Sequence, residues 1–468
     1  MSSNEDSTSS PNPEAELKQR TLALKWKLDL RLMPFLSLLY FFSFLDRVNI
    51  GNARLIHIED DLNLTSSQYA WVLAVFFIGF IAFDIPSNLV IKRFSPSRWI
   101  ARIMVSWGAV TMVTATVTNF AGLLSARFFL GVAEAGLFPG IIFYLTFWYT
   151  RREQCTRFAL FFSSASLAGA FGGVLAYFMS RMNGVSRLKG WQWIFIIEGL
   201  ATILVGIITW FYLPNYPHQA KWLTETEREL AETRLSQDFT NVSESKFDKA
   251  QFINAIRSYK TWMYMFMYIG INTPVYSISL FLPTIVRGLG FSSLTAQLFT
   301  CPPYFLAFLF TLATSYHSDR TKERGYHLII QAGVGIVGLV LMSTMSELKA
   351  RYAAACVAAM GVFSCVPVLL SWVTNNVIGA TKAATTSAMV IAFGNCGGMI
   401  ASQFYTADEA PQYLRSNLVN VCFLAMAILL SFAMKISMKQ ENKRFDLAEQ
   451  QGVLIKEVSG NPAFRNIL

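Results

Sequence analysis

The sequence predicts an all-α membrane protein, with twelve transmembrane helices arranged as two pseudo-repeated six-helix bundles. Three observations carry that reading. Of 468 residues, 53% are hydrophobic and 15% charged, against about 25% charged in ordinary soluble domains, so there are too few charges to cover a soluble surface. The apolar residues come in blocks of about 20 to 25 rather than in stripes of period 2 or 3.6, the pattern expected where lipid is the solvent. The pattern of the first half also recurs in the second. Six cysteines show no paired spacing, which excludes a disulfide scaffold.

Taken in order, the first 29 residues are polar and form an N-terminal tail without the usual signal-peptide pattern. A first bundle is expected over residues 30–213, with segments centred near Tyr40, Phe80, Val110, Phe138, Gly169 and Leu204. A polar linker follows over 214–258, in which Trp222 to Arg228 reads as a capped amphipathic helix. The second bundle spans 259–438, with segments near Thr273, Phe305, Val337, Val362, Ile391 and Leu424, and a tail occupies 439–468.

Net charge is +10. No basic patch interleaved with aromatics points to nucleic acid; the basic residues sit in the connectors instead. Lys25, Lys27 and Arg31, then Lys92, Arg93 and Arg98, then Arg151, Arg152 and Arg157, then Arg320, Lys322 and Arg324 fall on one side if the segments alternate. The first opposite loop carries Glu59, Asp60 and Asp61, although the loop with Arg187 and Lys189 is mildly basic. Both termini and the linker are therefore expected in the cytoplasm. Sequons at Asn63 and Asn241 are expected to carry little glycan, the first being too near the membrane and the second on the wrong side of it.

The repeat shows in Gly169-Ala170-Phe171-Gly172-Gly173 and Gly394-Asn395-Cys396-Gly397-Gly398, displaced by 225 residues. The same displacement brings Lys92-Arg93 close to Asp319-Arg320, Pro139 close to Pro367, and the end of the sixth segment at Pro214 onto the end of the twelfth at Lys439. Small-residue motifs recur in many membrane bundles, but four features at one displacement favour two fused repeats with a solute site between them near the midplane, the major facilitator architecture.

Ionisable residues inside the segments are the functional clue, since each costs roughly 2.5–3.5 kcal/mol at a helix centre. The first half holds Asp46, Arg47, Asp84, Arg127, Glu134 and Glu198; the second holds none away from segment ends. Asp46 and Arg47 lie about 16 residues, or roughly 24 Å, into the first segment, which sets them near the level of Arg127. Arg127, Gly131 and Glu134 share a helix face. Two acids and two bases then sum to zero and can be rearranged by one proton or one anion. A static buried ion pair orienting the first and fourth helices is the competing account of Arg127 and Asp46. Asp84, beside Pro86, and Glu198, within two turns of the outer end, read as structural. The neutral half offers Asn272, Thr273 and Tyr276 beside Pro274, and further along Trp372, Asn375, Asn376, Asn395 and Gln403.

The run Leu45-Asp46-Arg47-Val48-Asn49-Ile50-Gly51-Asn52-Ala53 resembles the first-helix signature of the anion:cation symporter family of the major facilitator superfamily. Arg127-Phe128-Phe129-Leu130-Gly131-Val132-Ala133-Glu134-Ala135-Gly136 is similar to its fourth-helix motif. Trp191 to Gly199, Leu213-Pro214-Asn215-Tyr216-Pro217, Lys221-Trp222-Leu223-Thr224 and Cys301-Pro302-Pro303-Tyr304 resemble the fungal branch, which contains allantoate, nicotinate, pantothenate and biotin permeases. Two loops depart from that branch, at Lys382-Ala383 and at Asp408-Glu409-Ala410-Pro411-Gln412-Tyr413. The resemblance implies that Arg47 grips a substrate carboxylate while Asp46 and Glu134 carry protons. Arg127, Asn272, Tyr276, Trp372, Asn376 and Asn395 are expected as further substrate contacts.

The function expected is proton-coupled symport of a small organic anion, a vitamin-type or nitrogen-source monocarboxylate such as nicotinate or pantothenate. A sodium-coupled or uncoupled carrier, or a sensor that keeps the fold without turnover, are the alternatives. No enzymatic activity, cofactor, metal or nucleic acid is expected. Gly333-Val334-Gly335-Ile336-Val337-Gly338 matches a dinucleotide fingerprint only in letters, lying inside an apolar helix with no strand before it. His57, His218, His317 and His327 lie in loops or at segment ends, and Cys301 and Cys396 read as inert thiols. A monomer in the plasma membrane is the expected setting.

Overall fold

A computed structural model describes residues 13–91, 95–237, 248–377, 379–404, 412–451 and 466–467. Lys92, Arg93, Asn241 and the run Asp408 to Pro411 lie outside the described residues, as do the side chains of Arg151 and Arg152.

Six long helices make the first half: α1 (Pro13–Leu55), α2 (Ser66–Ile91), α3 (Pro96–Thr114), α4 (Phe120–Glu134, continued after a break by Leu137–Leu145), α5 (Arg151–Ser180) and α6 (Gly190–Tyr212). The second half repeats the series as α7 (Tyr259–Gly288), α8 (Cys301–Thr321), α9 (Gly325–Thr344), α10 (Leu348–Asn375), α11 (Ala380–Ala401) and α12 (Leu414–Gln450). Eleven of these are long and apolar enough to cross a membrane. The remaining one is α3, which begins with Arg98 and Arg102. Both guanidiniums lie over the Trp210 ring of α6, at 5.9 and 5.6 Å from its centre, so its charges are gathered at one end.

Helix pairing displays the repeat directly. In the first half α1 packs on α5, α2 on α4, and α3 on both α4 and α6; in the second, α7 packs on α11, α8 on α10, and α9 on both α10 and α12. Between halves, α1 meets α7, α2 meets α11, and α5 meets α8, so each cross-pair maps onto itself or another under a shift of six helices. Glycines set these approaches, because a helix without a Cβ admits a neighbour's backbone. A Cβ on Gly169 would stand 2.6 Å from the Tyr304 ring, one on Gly173 would strike Gln297 and Thr300, and one on Gly398 would strike Phe77. Gly172 and Gly397, the matching members of the repeat, lie against Leu45 of α1 and Thr273 of α7.

The N-terminal part of α1, the end of α12 and the described part of the linker share one face of the bundle. The linker helix Glu225–Gln237 is capped as expected, with the Glu227 amide donating to Thr224 and the Thr224 amide donating to Glu227. It reaches the fourth turn of α1 through Glu227 to Lys27 (2.6 Å) and the start of α5 through Arg234 to Glu153 (2.5 Å). The ends of α7 and α12 meet on that face through Lys260 and Glu441. On the opposite face Lys189 pairs with Asp61 at 2.7 Å, and Trp191 donates to the same carboxylate. That pair accounts for the one basic loop expected on the acidic side.

Two helices overrun the expected boundaries. The first starts at Pro13, inside what reads as a tail, because Glu14 to Arg20 are good helix formers with Glu16 and Arg20 paired four residues apart. Likewise α12 runs on to Gln450 rather than ending at 438.

Candidate functional site

Asp46 and Arg47 are consecutive on α1, so their side chains leave the helix about 100° apart. Their destinations differ accordingly. Arg47 points to the junction of the two halves, where it meets Glu134 of α4 at 2.5 Å and donates to the Tyr276 hydroxyl of α7 at 2.9 Å. Tyr276 in turn donates to the Asn395 side-chain oxygen of α11 at 2.9 Å, while Ser43, one turn before Arg47, donates to Glu134. One buried chain of polar contacts thus runs from α4 through α1 and α7 to α11. The guanidinium also lies 5.3 Å from the ring centres of Phe76 and Phe80, and 5.7 Å from that of Tyr276. Aromatic faces of this kind hold a cation without competing for its N–H donors.

Glu134 owes its position to a break in α4. It is the last residue of the helix; Ala135 is extended, and Gly136 has φ +90°, a conformation that favours glycine. A Cβ there would strike the Ser87 side chain of α2. Interrupted helices at depth leave backbone groups free to face a solute, and so mark binding sites in transporters.

Asp46 points the other way, into the first half. Its Oδ2 accepts from Trp107 Nε1 of α3 at 2.5 Å and from Thr202 of α6 at 3.4 Å. Glu198, one turn before Thr202, accepts from Asn49, which lies one turn past Asp46. Arg127 is 2% exposed, with its guanidinium over the Phe195 ring at 5.6 Å. The expected set of four charges is therefore divided. Arg47 and Glu134 stand between the halves, whereas Asp46 and Arg127 belong to a second cluster inside the first half, together with Glu198.

The sequence pattern of the Major Facilitator Superfamily matches residues 36–402. The chain belongs to the major facilitator superfamily. Similar curated proteins include the MFS transporter prlL of a fungal species, 38% identical over 90% of this chain and 87% of its own length. Two others are the MFS-type transporter cnsO of Penicillium expansum (34% identical; 94% of this chain and 90% of its own) and the major facilitator-type transporter hxnP of Emericella nidulans (33%; 92% and 88%). Among solved structures, the xylose transporter XylE from E. coli in a partially occluded inward-open conformation superposes with a TM-score of 0.65 at 14% identity, covering 87% of this chain and 98% of its own. A bacterial homologue of the human lysosomal transporter Spinster gives 0.63 at 16%, covering 87% and 97%. These two share the fold.

Of the substrate contacts expected from the sequence, this major facilitator protein brings Arg47, Tyr276 and Asn395 into one connected group. Asn272 lies beside Gly394 on the same α7–α11 contact, 3.0 Å from where a Cβ would stand. Arg127 is outside that group. Trp372 and Asn376 are also elsewhere: they close the end of α10 on the face that carries the termini, where Trp372 Nε1 donates to the Ile467 carbonyl at 2.8 Å and the Ile467 amide donates to Asn376 at 2.7 Å. In this arrangement both are occupied with the chain's own last residues. Asp84 is buried and accepts a backbone hydrogen bond from Gly136, bracing the α4 break. Ser43, Trp107, Thr202, Asn49 and the aromatic pair Phe76 and Phe80 were not singled out from sequence. Only Ser43 and Asn49 carried a signal, at three- and four-residue steps from Asp46 and Arg47 on one helix.

Proposed function

We propose that this major facilitator protein is a proton-coupled symporter of a small organic anion, of the anion:cation type, working by alternating access. The observation that carries the reading is the Arg47–Glu134 pair at the junction of the halves, joined to the second half through Tyr276. A guanidinium holds a carboxylate with two parallel N–H donors, and Arg47 has one such carboxylate already. A substrate carboxylate must compete with Glu134. Protonation of Glu134 removes the competitor, so the anion enters as the proton does; loss of that proton on the far side lets Glu134 reclaim Arg47 and expel the anion. The same event at Tyr276 is felt by α7 and α11, which gives the halves a reason to move.

Energetics favour coupling. Carrying one charge through the membrane potential is worth about 2.3 kcal/mol per 100 mV, so a lone monoanion would be opposed by a negative interior. One proton cancels its charge. Neutral amide and aromatic walls from Asn272, Tyr276 and Asn395 suit a compact monocarboxylate of the nicotinate or pantothenate kind. We assign the face with both termini to the cytoplasm, the protein to the plasma membrane, and the working unit to a monomer.

Reconstitution in vesicles with an imposed pH gradient, screened against labelled carboxylates, tests the reading. Glu134→Gln imitates the protonated acid and should abolish accumulation while sparing exchange of labelled for unlabelled solute, which needs no net proton movement. Undiminished pH-driven accumulation by Glu134→Gln would refute this role, and accumulation that follows sodium instead would place the coupling on that ion.

A further inference from the structure

Glu198 reads from sequence as structural, yet it shares a buried compartment with an acid. Asp46 and Glu198 are each 2% exposed, and their carboxyl groups lie within hydrogen-bonding reach of each other. Donors are provided for one oxygen of each: Trp107 and Thr202 for Asp46 Oδ2, and Asn49 for Glu198 Oε2. The other two oxygens, Asp46 Oδ1 and Glu198 Oε1, receive no donor from the described residues. Two carboxylates in contact within a low-dielectric interior cannot both stay ionised, and a contact between two acceptors becomes a hydrogen bond only when a proton lies in it.

The surrounding charges fit one proton. Arg127 of α4 is the cation that acts on Asp46, and its Nε and Nη2 are buried without a partner among the described residues. Tyr69 of α2 faces Arg127; Glu134 of α4 also acts on Asp46 and Arg127, and its charge is balanced by Arg47, which is committed to Glu134 and Tyr276. Besides Glu198 itself, the groups of α3 and α6 that reach Asp46 among the described residues are the neutral Trp107 and Thr202. With one proton between the two carboxyls, a single negative charge remains opposite Arg127.

We propose that Asp46 and Glu198 together form one proton-binding site, holding a single proton between them beside Arg127. Glu198 is thereby a proton-holding residue and not a brace. Because Asp46 and Arg47 are neighbours on α1, displacement of Arg47 by substrate shifts the helix that carries half of this site. Use of the site as a second proton carrier rests on the symport reading above; its existence does not.

Infrared difference spectra of the purified full chain in lipid vesicles, taken between alkaline and acid buffer, read the site without substrate. At neutral pH the wild type should show one protonated-carboxyl band that both Glu198→Gln and Asp46→Asn remove, and the double variant should remove no more than either. Persistence of the band in either single variant, or losses that add as two separate acids, would overturn the proposal. If one single variant does not purify, the other decides alone, since either change should eliminate the band. In vesicles loaded to accumulate labelled nicotinate, or pantothenate where nicotinate is not taken up, Glu198→Gln should move one proton fewer per solute. A wild type whose uptake ignores pH would sink the symport reading while the shared band still stood. A lost band with unchanged stoichiometry would remove the second-carrier role alone.

Discussion

Arg47 is held by an acid, a phenol and three aromatic faces, and each holds a different property of the guanidinium. The paired N–H donors are what a lysine lacks. Arg47→Lys keeps the charge but should weaken carboxylate binding by on the order of 1.5–3 kcal/mol, the worth of a charged hydrogen bond, which is roughly ten- to a hundredfold in Kd by equilibrium binding. An amide analogue that binds the wild type as tightly as its acid would contradict the assignment. Tyr276→Phe tests the bridge between halves. It removes a hydroxyl that accepts from Arg47 and donates to Asn395, so affinity should fall by about 1 kcal/mol per lost bond with Glu134 still paired. Arg47 and Glu134 were legible because charges inside apolar segments stand out. The division of the four charges was not, since it depends on which way consecutive residues leave one helix. The contact of Glu198 with Asp46 was not legible either, because distance from a segment end says nothing of what the facing helix brings.

The contact of α1 with α7 rests on Gly51, where an added Cβ would strike the Leu280 carbonyl. Backbone cannot yield as a flexible side chain can, so Gly51→Val should force the halves apart on the face opposite the termini. Overpacking costs about 1–3 kcal/mol, enough to shift the balance of conformers several-fold or more. A cysteine at Phe77, placed in a cysteine-free background, should then react faster with an impermeant thiol reagent from that face; an unchanged rate would mean the contact does not control closure. The linker helix gives a second prediction. Burial pushes the Glu153 carboxyl up, but Lys25 and Arg234 outweigh it and hold the group below its ordinary range. A carboxyl lowered by folding stabilises above its unfolded value, near 4.3, and loses that contribution as pH falls through the lowered one. Docking of Glu225–Gln237 should therefore loosen only in acid, and Glu153→Gln should show the same faster hydrogen exchange already at neutral pH. Among the elements, the capped linker helix could be read from Thr224 and Glu227. The break after Glu134 could not, because Ala135 and Gly136 occur as readily in an unbroken membrane helix, and it is packing against Ser87 and Asp84 that fixes the turn.

At the scale of the molecule, connector charges and the 225-residue repeat were enough to anticipate the architecture, because lipid removes most alternatives to a helix. Helix ends were less legible: beyond the bilayer nothing in composition says whether a polar segment stays helical. The topology makes a direct prediction. Tags at either terminus or after Gln237 should be reached by antibody only once cells are permeabilised; a linker tag reached in intact cells would invert the assignment. The two overrunning helices have a further use. At 1.5 Å per residue, the 43 residues of α1 and the 37 of α12 extend roughly 65 and 55 Å, well past a core of about 30 Å. One is built into the first half and the other into the second, so their projecting ends behave as the arms of a pair of calipers. A donor dye at the exposed Lys18 and an acceptor at the exposed Lys443 would convert a few degrees of rocking into a change of distance magnified by those arms, and single molecules could be timed as they turn over without any label near the solute.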